Sequence, residues 1–201
     1  MSFEGEQREQ SETVAALARG FMIALFVIYA LLAISFRSYV QPIIVMSAIP
    51  FGFIGALVAH IFMGLSIGIV SLFGIIGLSG VVVNDSLVLI DFINERRRSG
   101  VPMAEAILQG AQVRFRPIML TSLTTFLGVL PLILERSLQA QFLIPMAASL
   151  GFGILFATFI LMLLVPAITM MVYDVETWYR ARFRLVRIEE AETETAILPA
   201  T

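Results

Sequence analysis

An all-α integral membrane protein is the fold this sequence predicts: five transmembrane helices plus one short amphipathic helix on the cytoplasmic side. Three observations predict it. Of the 201 residues, 59% are hydrophobic and only 14% charged, where soluble domains average about 45–50% and 25%. Apolar runs that reach the roughly 20 residues needed to cross a bilayer core occur five times, and mean hydropathy is +0.93. All 13 basic residues are arginines, and they cluster between those runs.

The segments follow in order. Residues 1–14 carry Glu4, Glu6, Glu9 and Glu12, whereas a signal peptide would begin with basic residues. They read as a periplasmic stalk, the edge of something larger. The first span covers 15–36 and ends at Arg37. The second, 42–63, contains Pro50, Gly52 and Gly55, which membrane helices tolerate when neighbours re-satisfy the freed backbone groups. The third, 65–93, runs into Asn94-Glu95-Arg96-Arg97-Arg98, and Gly100 followed by Pro102 marks a stop and restart. Met103, Ile107 and Ala111 then form a stripe that suits a surface helix over 102–113. A fourth span covers 117–134 and a fifth 142–172. The polar stretch 175–201 reads as a cytoplasmic tail, with a disordered acidic end from Glu189 to Thr201. Short loops make the first three spans antiparallel neighbours.

Orientation comes from arginines near span ends. Ten lie on one side (Arg37, Arg96, Arg97, Arg98, Arg114, Arg116 and four beyond Tyr179) and three on the other: Arg8, Arg19 and Arg136. The richer side, with the C-terminus, is assigned to the cytoplasm.

Chemistry concentrates in the third span, where Asn84, Asp85 and Ser86 interrupt an apolar run. A carboxylate in hydrocarbon costs at least about 2.5–3.5 kcal/mol on insertion scales and usually belongs to an ion or substrate path. Asp85 is therefore the leading candidate for a proton-relay group, against the blander reading of a permanently neutral, hydrogen-bonded acid. Asp91, nearer the interface, reads as hydrated and paired with Arg96 or Arg98. In the fourth span Thr121, Thr124, Thr125 and Gly128 share a face, with Ser122 adjacent. Such hydroxyls bond across helices or to water, and glycine allows close approach. Arg114, two turns from Thr121, stands at the cytoplasmic mouth, where it can balance an acid. Gly74, Gly77 and Gly80 give a small-residue packing stripe, and His60 reads as an interfacial polar residue. With no cysteine and one histidine, no metal or disulfide framework is expected. No phosphate-cradling loop, nucleophile elbow or nucleic-acid surface is present. Neither an enzyme nor a cofactor is expected, and no nucleic-acid partner; membrane lipid is the expected surrounding.

Two motifs carry a resemblance. Gly80-Val-Val-Val-Asn-Asp-Ser-Leu-Val-Leu-Ile-Asp-Phe-Ile-Asn94 resembles the relay helix in the second half of RND-superfamily efflux pumps. Arg114-Phe-Arg-Pro-Ile-Met-Leu-Thr-Ser-Leu-Thr-Thr125 resembles the helix after it, and Phe36-Arg-Ser-Tyr-Val-Gln-Pro42 an earlier cytoplasmic turn. The resemblance covers roughly 4–174. It implies a partial RND transmembrane bundle, the last five helices of a twelve-helix, two-half pump of the inner membrane. It further implies proton-driven antiport of drugs or other amphiphiles, by a homotrimer working with a periplasmic adaptor and an outer-membrane channel. The N-terminal part of the same pump would supply the principal relay aspartates. Asn84 stands where drug-exporting members often carry a lysine, and Asp85 where they often carry asparagine. Arg114 and Thr121 match the family's relay arginine and threonine. A stand-alone five-helix scaffold or regulatory subunit is the alternative.

Overall fold

The computed structural model describes residues 3–197, with side chains for 8–179 and 182. Among these residues all regular structure is helical. Seven helices follow one another: α1 (Phe3–Phe36), α2 (Gln41–Met46), α3 (Ile49–Met63), α4 (Ile69–Arg98), α5 (Met103–Leu134), α6 (Leu138–Gln141) and α7 (Ile144–Ile197). Five stretches are long and apolar enough to cross a membrane: Arg8–Phe36, Gln41–Met63, Ile69–Arg98, Met103–Leu134 and Ile144–Tyr179.

The helices join differently from the segments expected. The stalk and the first span are one helix, α1. The second span is broken at Ser47 and Ala48. Pro50 explains the break, because its ring clashes with the carbonyl four residues back, and that residue, Met46, is where α2 ends. The surface helix and the fourth span are likewise one helix, α5, with Pro117 and Pro131 inside it. Pro117 removes a single N–H, while the good helix formers Arg114 and Arg116 carry the chain across it. The acidic stretch expected to be disordered from Glu189 is helical as far as Ile197, since no glycine or proline follows Pro166 before that point. Residues 198–201 lie outside the described residues.

Turns end the helices where the sequence offers them. Gly64 closes α3 in the left-handed conformation at φ 65°, and Leu65 N–H bonds back to His60 O at 2.9 Å, a Schellman arrangement. Gly100, at φ 86°, ends α4 with Val101 N–H on Arg96 O. Arg37 takes the same left-handed position after α1 at φ 52°.

α7 is the hub. It packs on α3, α4 and α5, whereas α1 touches α2 and α4 and leaves most of its surface open. α1 thus neighbours the second span through α2 rather than through α3. Ile154, Ala157, Leu161 and Val165 form the buried seam of α7 against Leu78, Val82, Leu89 and Ile93 of α4. Lipid is as apolar as these side chains, so close van der Waals packing holds such a seam together. Gly52 and Gly55 of α3 meet Gly153 of α7: a Cβ at Gly55 would sit 3.2 Å from Gly153 Cα. Gly74 abuts the Met146 carbonyl of α7 in the same way, but Gly77, Gly80 and Gly128 touch nothing. Of the expected small-residue stripe, only Gly74 packs within this chain.

Candidate functional site

Successive residues of a helix lie about 100° apart, and on α4 that angle separates Asn84 from Asp85. Asp85 turns inward with Val82, Ser86 and Leu89 and is only 6% exposed. Its carboxylate makes no hydrogen bond or ion pair among the described residues. Ser86, fully buried beside it, donates instead to Val82 O at 2.9 Å. Asn84 lies on the outward stripe with Phe73, Gly77, Gly80, Asp91 and Glu95. Asp91 is exposed and pairs with neither Arg96 nor Arg98.

Arg114 reaches from α5 towards α4. A Cβ added at Gly110, one turn before it, would meet Phe92 and Ile93 of α4, so the two helices touch closely here. The Arg114 guanidinium lies 5.1 Å from the centre of the Phe92 ring, and its Nε is enclosed with no acceptor. Gly110 and Ile93 therefore share a level in the bundle. Eight residues along each antiparallel helix, about 12 Å at 1.5 Å per residue, the matching level holds Asp85 on α4 and Ile118 on α5, with Thr121 almost one turn further on. Thr121 is exposed, and its hydroxyl donates to Pro117 O at 2.9 Å. Thus Thr121 stands about one turn from the level of Asn84 and Asp85 with no bond to either, and the Arg114 guanidinium sits about two turns from Asp85 beside an aromatic ring.

Three polar contacts were not anticipated from the sequence. Ser122, rather than the threonines beside it, makes the cross-helix bond, pairing with Thr158 of α7; Thr121, Thr124 and Thr125 bond back into their own helix. His60, expected at the interface, is 2% exposed. Its Nδ1 meets Ala56 O and its Nε2 meets Ser71 Oγ, both at 2.9 Å. Gln41 and Asn94 form a reciprocal amide pair. A polar residue at each end of a short apolar stretch was the available signal, but pairing across 53 residues has no signature in one sequence. Among the described residues, no three His, Cys, Asp or Glu side chains gather as a metal-binding group.

A family model described as the AcrB/AcrD/AcrF family matches residues 1–173. The chain belongs to that family, within the RND transporters. A solved structure of a heavy metal efflux pump superposes with a TM-score of 0.69 at 27% identity. The match covers 86% of this chain and 16% of that pump, so the chain spans about a sixth of the pump's length. Both the helical architecture and the RND transmembrane fold are shared with it. The relay-like motif of α4 lies within the family match.

Proposed function

We propose that this chain is the second-half membrane region of a proton-driven RND efflux pump of the bacterial inner membrane, and that Asp85 is a proton-carrying group in it. Buried Asp85 without a counter-charge is the observation that carries this reading. An anion there is poorly solvated, and taking up a proton relieves that cost. A group of this kind gains and loses a proton as its surroundings open and close. The outward stripe of Gly77, Gly80 and Asn84 supports a further membrane half, because small residues with nothing against them are suited to receiving a helix. Asn84, Thr121 and Arg114 would then line the path between the halves. The arginine-rich end and the C-terminus lie in the cytoplasm by the charge rule. The assembly is a homotrimer with a periplasmic adaptor and an outer-membrane channel, and its cargo is drugs or other amphiphiles. A second reading has metal ions as cargo, favoured by the heavy metal efflux pump that the chain resembles.

The experiment is Asp85→Asn in the complete pump, with dye efflux and metal tolerance measured in the same cells. Loss of export at wild-type protein level supports the relay role, and which of the two assays falls names the cargo. Full export by the variant removes Asp85 from the mechanism, and no wild-type effect in either assay favours the scaffold alternative.

A further inference from the structure

Asp85 and Phe92 stand about two turns apart on α4 and so share one face of that helix. The ring of Phe92 is pinned in place. A Cβ added at Gly110 of α5 would meet it at 3.5 Å and Ile93 at 2.8 Å, so no side chain separates the ring from the α5 backbone. The Arg114 guanidinium lies 5.1 Å from the ring centre. Arg114 is half-buried and makes no hydrogen bond or ion pair among the described residues, and its enclosed Nε has no acceptor. Arg96 of α4 lies at the same distance from the ring but is exposed. A cation gains most from a ring where water is excluded, so Arg114 is the arginine that Phe92 holds.

Left to itself, an arginine side chain spreads its charge over many rotamers. No carboxylate or carbonyl of the described residues holds Arg114, so the ring is the contact that orients it. We infer that Phe92 is a positioning residue of the proton path, its ring fixing the Arg114 charge about two turns from Asp85. Phe92 carries no proton itself, so this role stands only if Asp85 is the relay group proposed for it. An aliphatic residue of similar bulk would pack α4 on α5 as well, but would leave the arginine loose.

In the full chain in detergent, nitrogen-15 spectra should show the Arg114 Nε–H shifted upfield by the ring and exchanging slowly with water. An unshifted resonance overturns the contact. In the complete pump, phenylalanines bearing one, two or three fluorines are placed at position 92, and export is measured with ethidium and with zinc. Fluorine drains the negative face of the ring at almost constant size. The export rate at saturating cargo should therefore fall stepwise, by about two- to thirtyfold in all, with the half-saturating concentration unchanged. Phe92→Leu should match the trifluorinated ring and Phe92→Tyr should keep the wild-type rate. Phe115→Leu, at an exposed ring beside Arg114, should change nothing. A flat fluorine series reduces Phe92 to packing and overturns the proposal, whether or not Phe92→Leu folds. A series that vanishes in Arg96→Gln assigns the ring to Arg96 and overturns it too. Asp85→Asn is measured beside these variants. Full export by Asp85→Asn ends the relay reading and this role with it, while blocked export together with a flat series ends this role alone.

Discussion

Gln41 and Asn94 exchange two hydrogen bonds, Gln41 Nε2 to Asn94 Oδ1 at 2.9 Å and Asn94 Nδ2 to Gln41 Oε1 at 2.8 Å. The pair ties the start of α2 to the last turns of α4, at the end of the bundle where the arginines gather. Each amide satisfies the other, so removing either partner strands a half-buried polar group.

Gln41→Ala and Asn94→Ala should each destabilise the chain by about 1 kcal/mol, within the usual net value of such bonds. The double variant should cost less than the sum, because the second change strands nothing new. Unfolding in mixed micelles measures all three, and strictly additive costs would dismiss the pair as incidental.

The three glycines of α4 should behave differently. Gly74→Ala drives a methyl group into the Met146 carbonyl and Ser149 of α7, and should cost about 1–3 kcal/mol, the range for overpacking. Gly77→Ala and Gly80→Ala meet open space and should leave this chain as stable or slightly more so, given alanine's helix propensity. In the complete pump, the same two changes should lower export if another half packs there. Thermal scans of the chain beside efflux assays of the pump separate the two behaviours.

Ser122 and Thr158 join the middle of α5 to the first third of α7, within the apolar spans of both. Ser122 also bonds to Ile118 O of its own helix, so Ser122→Ala leaves Thr158 without its cross-helix partner. The expected loss is modest, about 0.6 kcal/mol, the average for such pairs in lipid. A double cycle with Thr158→Val is the measurement; zero coupling energy would mean that the pair contributes no net stability.

His60 should be held in one tautomer. The Ala56 carbonyl only accepts, so Nδ1 carries the proton in the neutral ring, and Nε2 accepts from Ser71. Nitrogen-15 resonances of the labelled ring should show a protonated Nδ1 and a bare Nε2, and Ser71→Ala should disturb Nε2 alone. The reverse pattern would contradict the geometry.

The number of spans and their order could be read from hydropathy. What could not be read was where one helix stops and the next begins. Arg114-Phe115-Arg116-Pro117 has the charge and the proline of a boundary, yet α5 runs through it, because one lost N–H does not outweigh the turns on either side. The reverse holds at Pro50, where the same residue type ends α2 at Met46. The partners of polar residues were equally hidden. His60, Ser122 and Gln41 look like surface or packing residues along the sequence, and their bonds depend on which helices α7 draws together. Arg114 was expected near an acid; it rests on Phe92 because Gly110 lets α4 and α5 close at that level.

Pro117 and Pro131 lie 14 residues apart in α5, and both are exposed. At 3.6 residues per turn that spacing returns to within about 40° of the same side. Each proline deprives the carbonyl four residues before it of its partner, so both gaps open along a single edge of the rod. α5 is in effect a bow with two notches cut on one side. Two hydrogen bonds fewer on that edge leave less to oppose a bend there than on any other side of the helix.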